Sequence, residues 1–247
     1  MKKNIKKHEE KVGFTLRGLE NTRIESLSDG IFAIAIGLLL MSSDPPSNFS
    51  ELMEFTRDLL PFAGTIAILM WIWYQHYLFF IRFGLRDAGT TAINTMLMFL
   101  VLFYAYPLKF MFRLLINLYQ ALLTQDQAML NHIFTDTIAP QDTPTLMVIY
   151  GLGASAIFFV FVWLNKRALN RAEILDLSEL EIRLTKNSII MNVTSGVIPF
   201  LSVLIALFRV GGKYTFMISG FVYILYTIAM PLASRYGRKK LAELKAD

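Results

Sequence analysis

The sequence predicts an all-α integral membrane protein with six transmembrane helices, and three observations carry that reading. Hydrophobic residues fill 55% of the 247 positions and charged residues only 17%, where an average soluble domain carries about 25% charge. The mean hydropathy is +0.48. Six stretches, approximately 24–41, 60–82, 91–112, 145–165, 188–208 and 214–234, are each long and apolar enough to cross a bilayer. The alternating pattern of a membrane barrel is missing, so the spans are helices.

The first span holds the most information. From Gly30 to Ser43 the uncharged stretch is too short to cross alone at about 1.5 Å per residue. The helix must therefore extend back through Arg23-Ile24-Glu25-Ser26-Leu27-Ser28-Asp29. Glu25 and Asp29 then share one face at the inner boundary, where two carboxylates repel and need partners. Arg23, His76, Arg82 and Arg86 are the candidates. Leu27, Ile31, Ile34, Leu38 and Met41 form one aliphatic stripe, while Gly30, Ala33 and Gly37 form a second stripe suited to close helix packing.

The run Ser42 to Asn48 marks a turn into the second span, which ends among Trp71, Trp73, Tyr74 and Tyr77 as an interfacial belt. The third span contains Pro107 and has Lys109 and Arg113 near its outer end, placed to snorkel. A loop over 117–144 carries Asp126, Asp136 and Asp142 without Lys or Arg, and its acidity suits either plain solvation or a cation-gathering mouth. In the fourth span, Gly151, Gly153 and Ser155 read as small-residue packing. The 165–187 loop alternates charge with Leu and Ile, and Ser178 with Glu181 has capping-box spacing, which predicts a short amphipathic helix. Pro199 and Pro107 could break the fifth and third spans.

Basic residues set the orientation. Nineteen of the 24 Lys and Arg fall in the N-terminal arm, the loops after spans two and four, and the tail. By the positive-inside rule both termini are cytoplasmic. The arm (1–23), a membrane domain (24–234) and a basic tail (235–247) follow. The net charge of +5 is this sorting, with contact to anionic membrane lipids, and points to no nucleic acid.

Several classes are excluded by what the chain lacks. Without Cys there is no disulfide scaffold, thiolate metal site or cysteine nucleophile. Three His without HExxH make a metal site improbable. The Val193-Thr194-Ser195-Gly196 run lacks the leading Gly of G-x-S-G, so the chain is not expected to be an intramembrane enzyme. No Thr-Val-Gly-Tyr-Gly loop offers a carbonyl filter, and no regular Arg series offers a voltage sensor.

The segment Arg23-x-x-x-Leu27-Ser28-Asp29-Gly30-Ile31-Phe32-Ala33-Ile34 resembles the arginine plus Phe-Ser-Asp-Gly signature of the lysosomal potassium channel family, in particular its prokaryotic members. Trp73-x-x-His76-x-x-x-Phe80, Asn94 and Pro107 are similar to the second and third helices of that family. The resemblance implies a homotetramer with helix 1 lining a central pathway for K⁺ as permeant ion, and no cofactor. It maps a hydrophobic constriction to Ile34, with Leu38 and Met41 following on the same face. It implies a polar network of Arg23, Ser28 and Asp29 with Trp73 and His76 that braces helix 1 behind the pore. Leu27 replaces the motif Phe. Gly37 stands where the family often has a Thr that aids selectivity, so weak preference for K⁺ over Na⁺ is expected. A secondary transporter, a proton-permeable protein and a non-conducting scaffold are the alternatives.

Overall fold

The computed structural model describes residues 13–41 and 45–243; the basic positions of 1–12, the Ser42–Asp44 turn and the last four residues lie outside the described residues. Among the described residues every regular element is helical. The helices are α1 (Arg23–Met41), α2 (Phe49–Arg57), α3 (Leu59–Phe83), α4 (Ala88–Thr124), α5 (Gln127–His132), α6 (Thr143–Leu169), α7 (Glu179–Leu207), α8 (Thr215–Phe221) and α9 (Leu225–Glu243). Six segments are long and apolar enough to span a membrane: α1, α2–α3, α4, α6, α7 and the α8–α9 pair.

Several boundaries differ from the sequence reading. The third span continues to Thr124, about 55 Å of helix, because Leu114, Leu118 and Ala121 keep an apolar face that packs with Ile133 and Ile138. The acidic loop is correspondingly short, and its aspartates serve local structure. Asp126 accepts from Met129 N at 3.0 Å to cap α5, and Asp136 meets His132 Nδ1 at 2.6 Å. The amphipathic segment before span five is not a separate helix. The capping box at Ser178 and Glu181 forms as expected but opens α7 itself, which runs unbroken into the membrane.

Neither Pro107 nor Pro199 ends its helix. Tyr150 Oη donates to the Pro107 carbonyl at 2.6 Å, one way that neighbouring helices support backbone around a membrane proline. The sixth span is interrupted by a 3₁₀ turn at Val222–Ile224, and its helix continues through position 235 to Glu243 without a boundary.

The main core joins α1, α3, α4 and α6 through Phe32, Leu39, Leu69, Phe80, Leu97, Val101, Val160 and Leu164, all nearly inaccessible. Before α1, residues 13–22 are not a free arm. They cross the ends of α3 and α7, where Gly18 N donates to Ile81 O at 3.0 Å and Thr15 N to Glu181 Oε1 at 2.7 Å. Arg17 grips the same carboxylate with Nη1 and Nη2 at 2.8 and 2.9 Å, and donates to Leu175 O and Asp176 O. Two glycines permit the crossing. A Cβ on Gly18 would strike the Phe80 carbonyl, and Gly84, left-handed at φ 58°, lies under the Arg17 carbonyl.

Candidate functional site

The candidate site is built on α1, whose two faces are treated differently. Ser28, Phe32, Ala35 and Leu39 recur at spacings of four, three and four and are buried. On the other side Ile34 is 57%, Leu38 56% and Met41 80% exposed within the subunit. Leu27 is uncovered as well, while Ile31 leaves the expected stripe and packs against the core. Gly30 and Gly37 have nothing within 4 Å of the position a Cβ would take, so the small-residue stripe makes no close packing inside the subunit. The tight contact expected of that stripe comes instead from the Ser28 face.

The polar residues sit behind that face in two separate sets. In the first, Ser28 Oγ donates to Ile24 O at 2.8 Å, so its lone pairs must accept from Asn94 Nδ2, also at 2.8 Å. The Asn94 carbonyl oxygen then faces His76 Nε2 at 2.9 Å, which places the imidazole proton on Nε2. His76 and Asn94 are 2% and 4% exposed, and Phe32 and Phe80 close over the imidazole with ring centroids at 6.0 and 4.7 Å. This chain of donors fixes α1 against α3 and α4 without a charge. Asn94 is its centre. An uncharged amide in the middle of an apolar span is visible in the sequence, but only the fold shows what it joins.

In the second set, Trp73 Nε1 donates to Asp29 Oδ1 at 2.8 Å. None of the expected cations meets the carboxylates. Glu25 receives the Thr22 hydroxyl at 2.8 Å at the start of α1. Arg86 donates to Glu20 O at 3.0 Å, and Arg82 stacks over the Phe14 ring at 5.3 Å. Arg23 is exposed and has no hydrogen bond or ion pair among the described residues. Both carboxylates instead border an open cavity of about 350 Å³ with Asn21, Trp73 and Tyr77, so water reaches them.

At the outer end of α1, Lys109 Nζ reaches the Leu39 carbonyl at 3.3 Å, and Arg113 pairs with Asp58 at 3.1 Å. The snorkelling cations thus bind a helix C-terminus and an acid. The alternative Ser–His pair is not assembled: Ser195 Oγ points to Met230 Sδ at 3.6 Å while His76 is held by Asn94.

Comparison with known proteins agrees with this arrangement. A sequence model of the family described as endosomal/lysosomal potassium channel TMEM175 matches residues 23–104, which contain both polar sets. A protein of Marivirga tractuosa named as a potassium channel is 42% identical over 235 residues, 95% of this chain and 94% of that one. A second potassium channel, from Chamaesiphon minutus, is 30% identical over 106 residues, 40% of this chain and 52% of the other. The crystal structure of a threonine-to-alanine variant of the potassium channel MtTMEM175, in complex with a nanobody–MBP fusion, superposes with a TM-score of 0.83. It shares 42% identity, and the match covers 92% of this chain and 97% of that one. Two thirds of the matched length lies beyond the motif segment, and the chain belongs to the TMEM175 potassium channel family, as a multi-pass membrane protein of its prokaryotic type.

Proposed function

We propose that the chain is a potassium-permeable channel in which four copies surround a central path lined by α1. The observation that carries this is the bare aliphatic face: Ile34, Leu38 and Met41 stand uncovered on the helix whose opposite face is locked to the core by Ser28 and Phe32. Four such faces meeting on an axis make a ring of hydrocarbon. Water leaves a narrow hydrocarbon constriction, and ions with it, until small helix displacements widen the ring. Ile34 forms the narrowest ring, and Leu38 and Met41 continue the same surface outward. The polar chain of His76, Asn94 and Ser28, with the Trp73–Asp29 bond, holds α1 in register and does not touch ions.

Conduction is passive and needs no cofactor. Both termini face the cytoplasm of a prokaryotic cell, and the channel lies in its plasma membrane. With Gly37 leaving open space beside the constriction, no hydroxyl lines the path at that level, and discrimination between K⁺ and Na⁺ is weak. The test is cation flux into liposomes holding the purified protein, with K⁺, Na⁺ and Cs⁺ compared in one preparation. Flux of all three with a modest K⁺ preference is expected. Absence of flux from intact oligomers would reject the channel in favour of a transporter or scaffold.

A further inference from the structure

Where α3, α6 and α7 meet at the end of the membrane nearest the 170–178 loop, they enclose a crevice of about 200 Å³ that conduction does not use. Its walls divide by chemistry. Leu78, Phe79, Phe83, Phe161 and Met191 are apolar; Gln75, Asn165, Asn187, Ser188 and Asn192 are polar and uncharged; Arg82 is the one charged group, and no acid lines the space. Arg82 makes no hydrogen bond or ion pair among the described residues, and its guanidinium lies over the Phe14 ring. A guanidinium is always charged, and one at the edge of the hydrocarbon ordinarily finds a counter-ion.

The polar wall suits a ligand that both accepts and donates. Asn165 and Asn192 each give one amide N–H to their own helix, to Phe161 O and Ser188 O, both at 2.8 Å. Each retains a second N–H and a carbonyl oxygen. Asn187 Oδ1 is buried with no hydrogen-bond partner and needs a donor. A cation facing amides, above apolar walls and at the depth of the lipid headgroups, matches a phosphodiester that carries a hydroxylated or amine-bearing headgroup. We propose that this crevice binds the phosphate headgroup of an anionic membrane lipid, with Arg82 as the phosphate anchor.

The test reads stability and not flux, so its outcome is independent of the conduction reading. Thermal unfolding of the purified full chain in detergent is followed with added phosphatidylglycerol, phosphatidylcholine or inorganic phosphate. Phosphatidylglycerol at large excess is expected to raise the midpoint by about 5 °C, and phosphatidylcholine not to. Arg82→Gln removes the anchor and should abolish the difference. Ser188→Leu fills the crevice without changing charge and should abolish it too, since the Ser188 hydroxyl bonds only Leu184 O of its own helix. Lys186→Gln, a change of charge outside the crevice, should keep the response. Equal midpoints in the two lipids overturn the proposal, as does a full phosphatidylglycerol response in folded Ser188→Leu. An equal rise with inorganic phosphate overturns the lipid assignment and makes a free anion the occupant.

Discussion

The α1 helix and the α6–α7 pair are both apolar membrane spans, yet the fold uses their small residues in opposite ways. On α6, Gly151 is buried so that Val203 and the Pro199 carbonyl of α7 can approach; a Cβ there would lie 2.5 and 2.9 Å from them. Ser155 Oγ closes the same seam by donating to Gly196 O at 3.0 Å. On α1, Gly30 and Gly37 touch nothing. Close packing drives helix association in a membrane because lipid is as apolar as Leu. The α6–α7 pair is therefore complete within one subunit, and α1 is finished on one face only. The incomplete face is the one that carries the aliphatic stripe.

The sharpest way to break this contrast is to put the same substitution on both faces of α1. Phe32→Asn places an amide in the core at 3% exposure and should cost about 3–5 kcal/mol, seen as loss of folded protein. Ile34→Asn sits on the bare face and should leave folding intact while raising liposome flux several-fold by wetting the constriction. Equal loss of protein from the two variants would remove the distinction between the faces.

The next effect is on the polar chain. Asn94→Leu strands the His76 Nε2–H and removes the donor to Ser28, at about 1–3 kcal/mol for each buried group left unpaired. Asp29→Ala is expected to be milder. The sequence points to a buried cation that would lose its countercharge, but the partner is the Trp73 indole N–H and the carboxylate is exposed to a wet cavity. A cost of about 1 kcal/mol with tetramers preserved is the expected outcome. Oligomer yield and unfolding midpoints of the two variants, measured together, check the order.

Glycine substitutions test the same comparison more gently. Gly151→Ala should destabilise by about 1–3 kcal/mol, because the Pro199 carbonyl cannot move aside as a side chain would. Gly37→Ala should be neutral or slightly stabilising within the subunit. A Gly37→Ala variant that loses its oligomers while Gly151→Ala keeps them would show that the close contact of this protein lies between subunits on α1.

What was legible in the sequence follows from how local each signal is. Hydropathy located every span because burial in lipid depends on composition over about 20 residues. The capping box at Ser178 was legible because its two residues are three apart. The far end of α4 was missed because residues 113–124 are too polar for a span yet remain helical against Ile133 and Ile138. Partners 44 or 66 residues apart in the chain, as in Trp73–Asp29 and Asn94–Ser28, cannot be read from spacing. The motif named four of those side chains and their region. It did not say that they divide into an uncharged chain and a solvated carboxylate, because that depends on where the cavity opens.

The smallest expected effect concerns the cytoplasmic clamp that joins the two regions. Asp87 caps α4 through Gly89 N and Thr90 Oγ1, and its carboxylate also takes Arg167 at the end of α6 and Arg171 beyond it. Partial burial works to raise this carboxyl, but the hydrogen bonds from Arg167 and Thr90 and the two positive charges outweigh it and hold it far below its ordinary value of 3.8. A carboxyl depressed by folding contributes its full stability above the unfolded value and loses it as pH falls toward the folded one. The unfolding midpoint of Asp87→Asn should therefore sit below that of the native chain by a constant amount from neutrality to about pH 5, equivalent to about 1 kcal/mol. Below about pH 4 the gap should narrow, because the native carboxyl starts to lose its advantage. A gap that instead widens on acidification would mean that Asp87 is stabilised as the neutral acid and that the arginines belong to another partner.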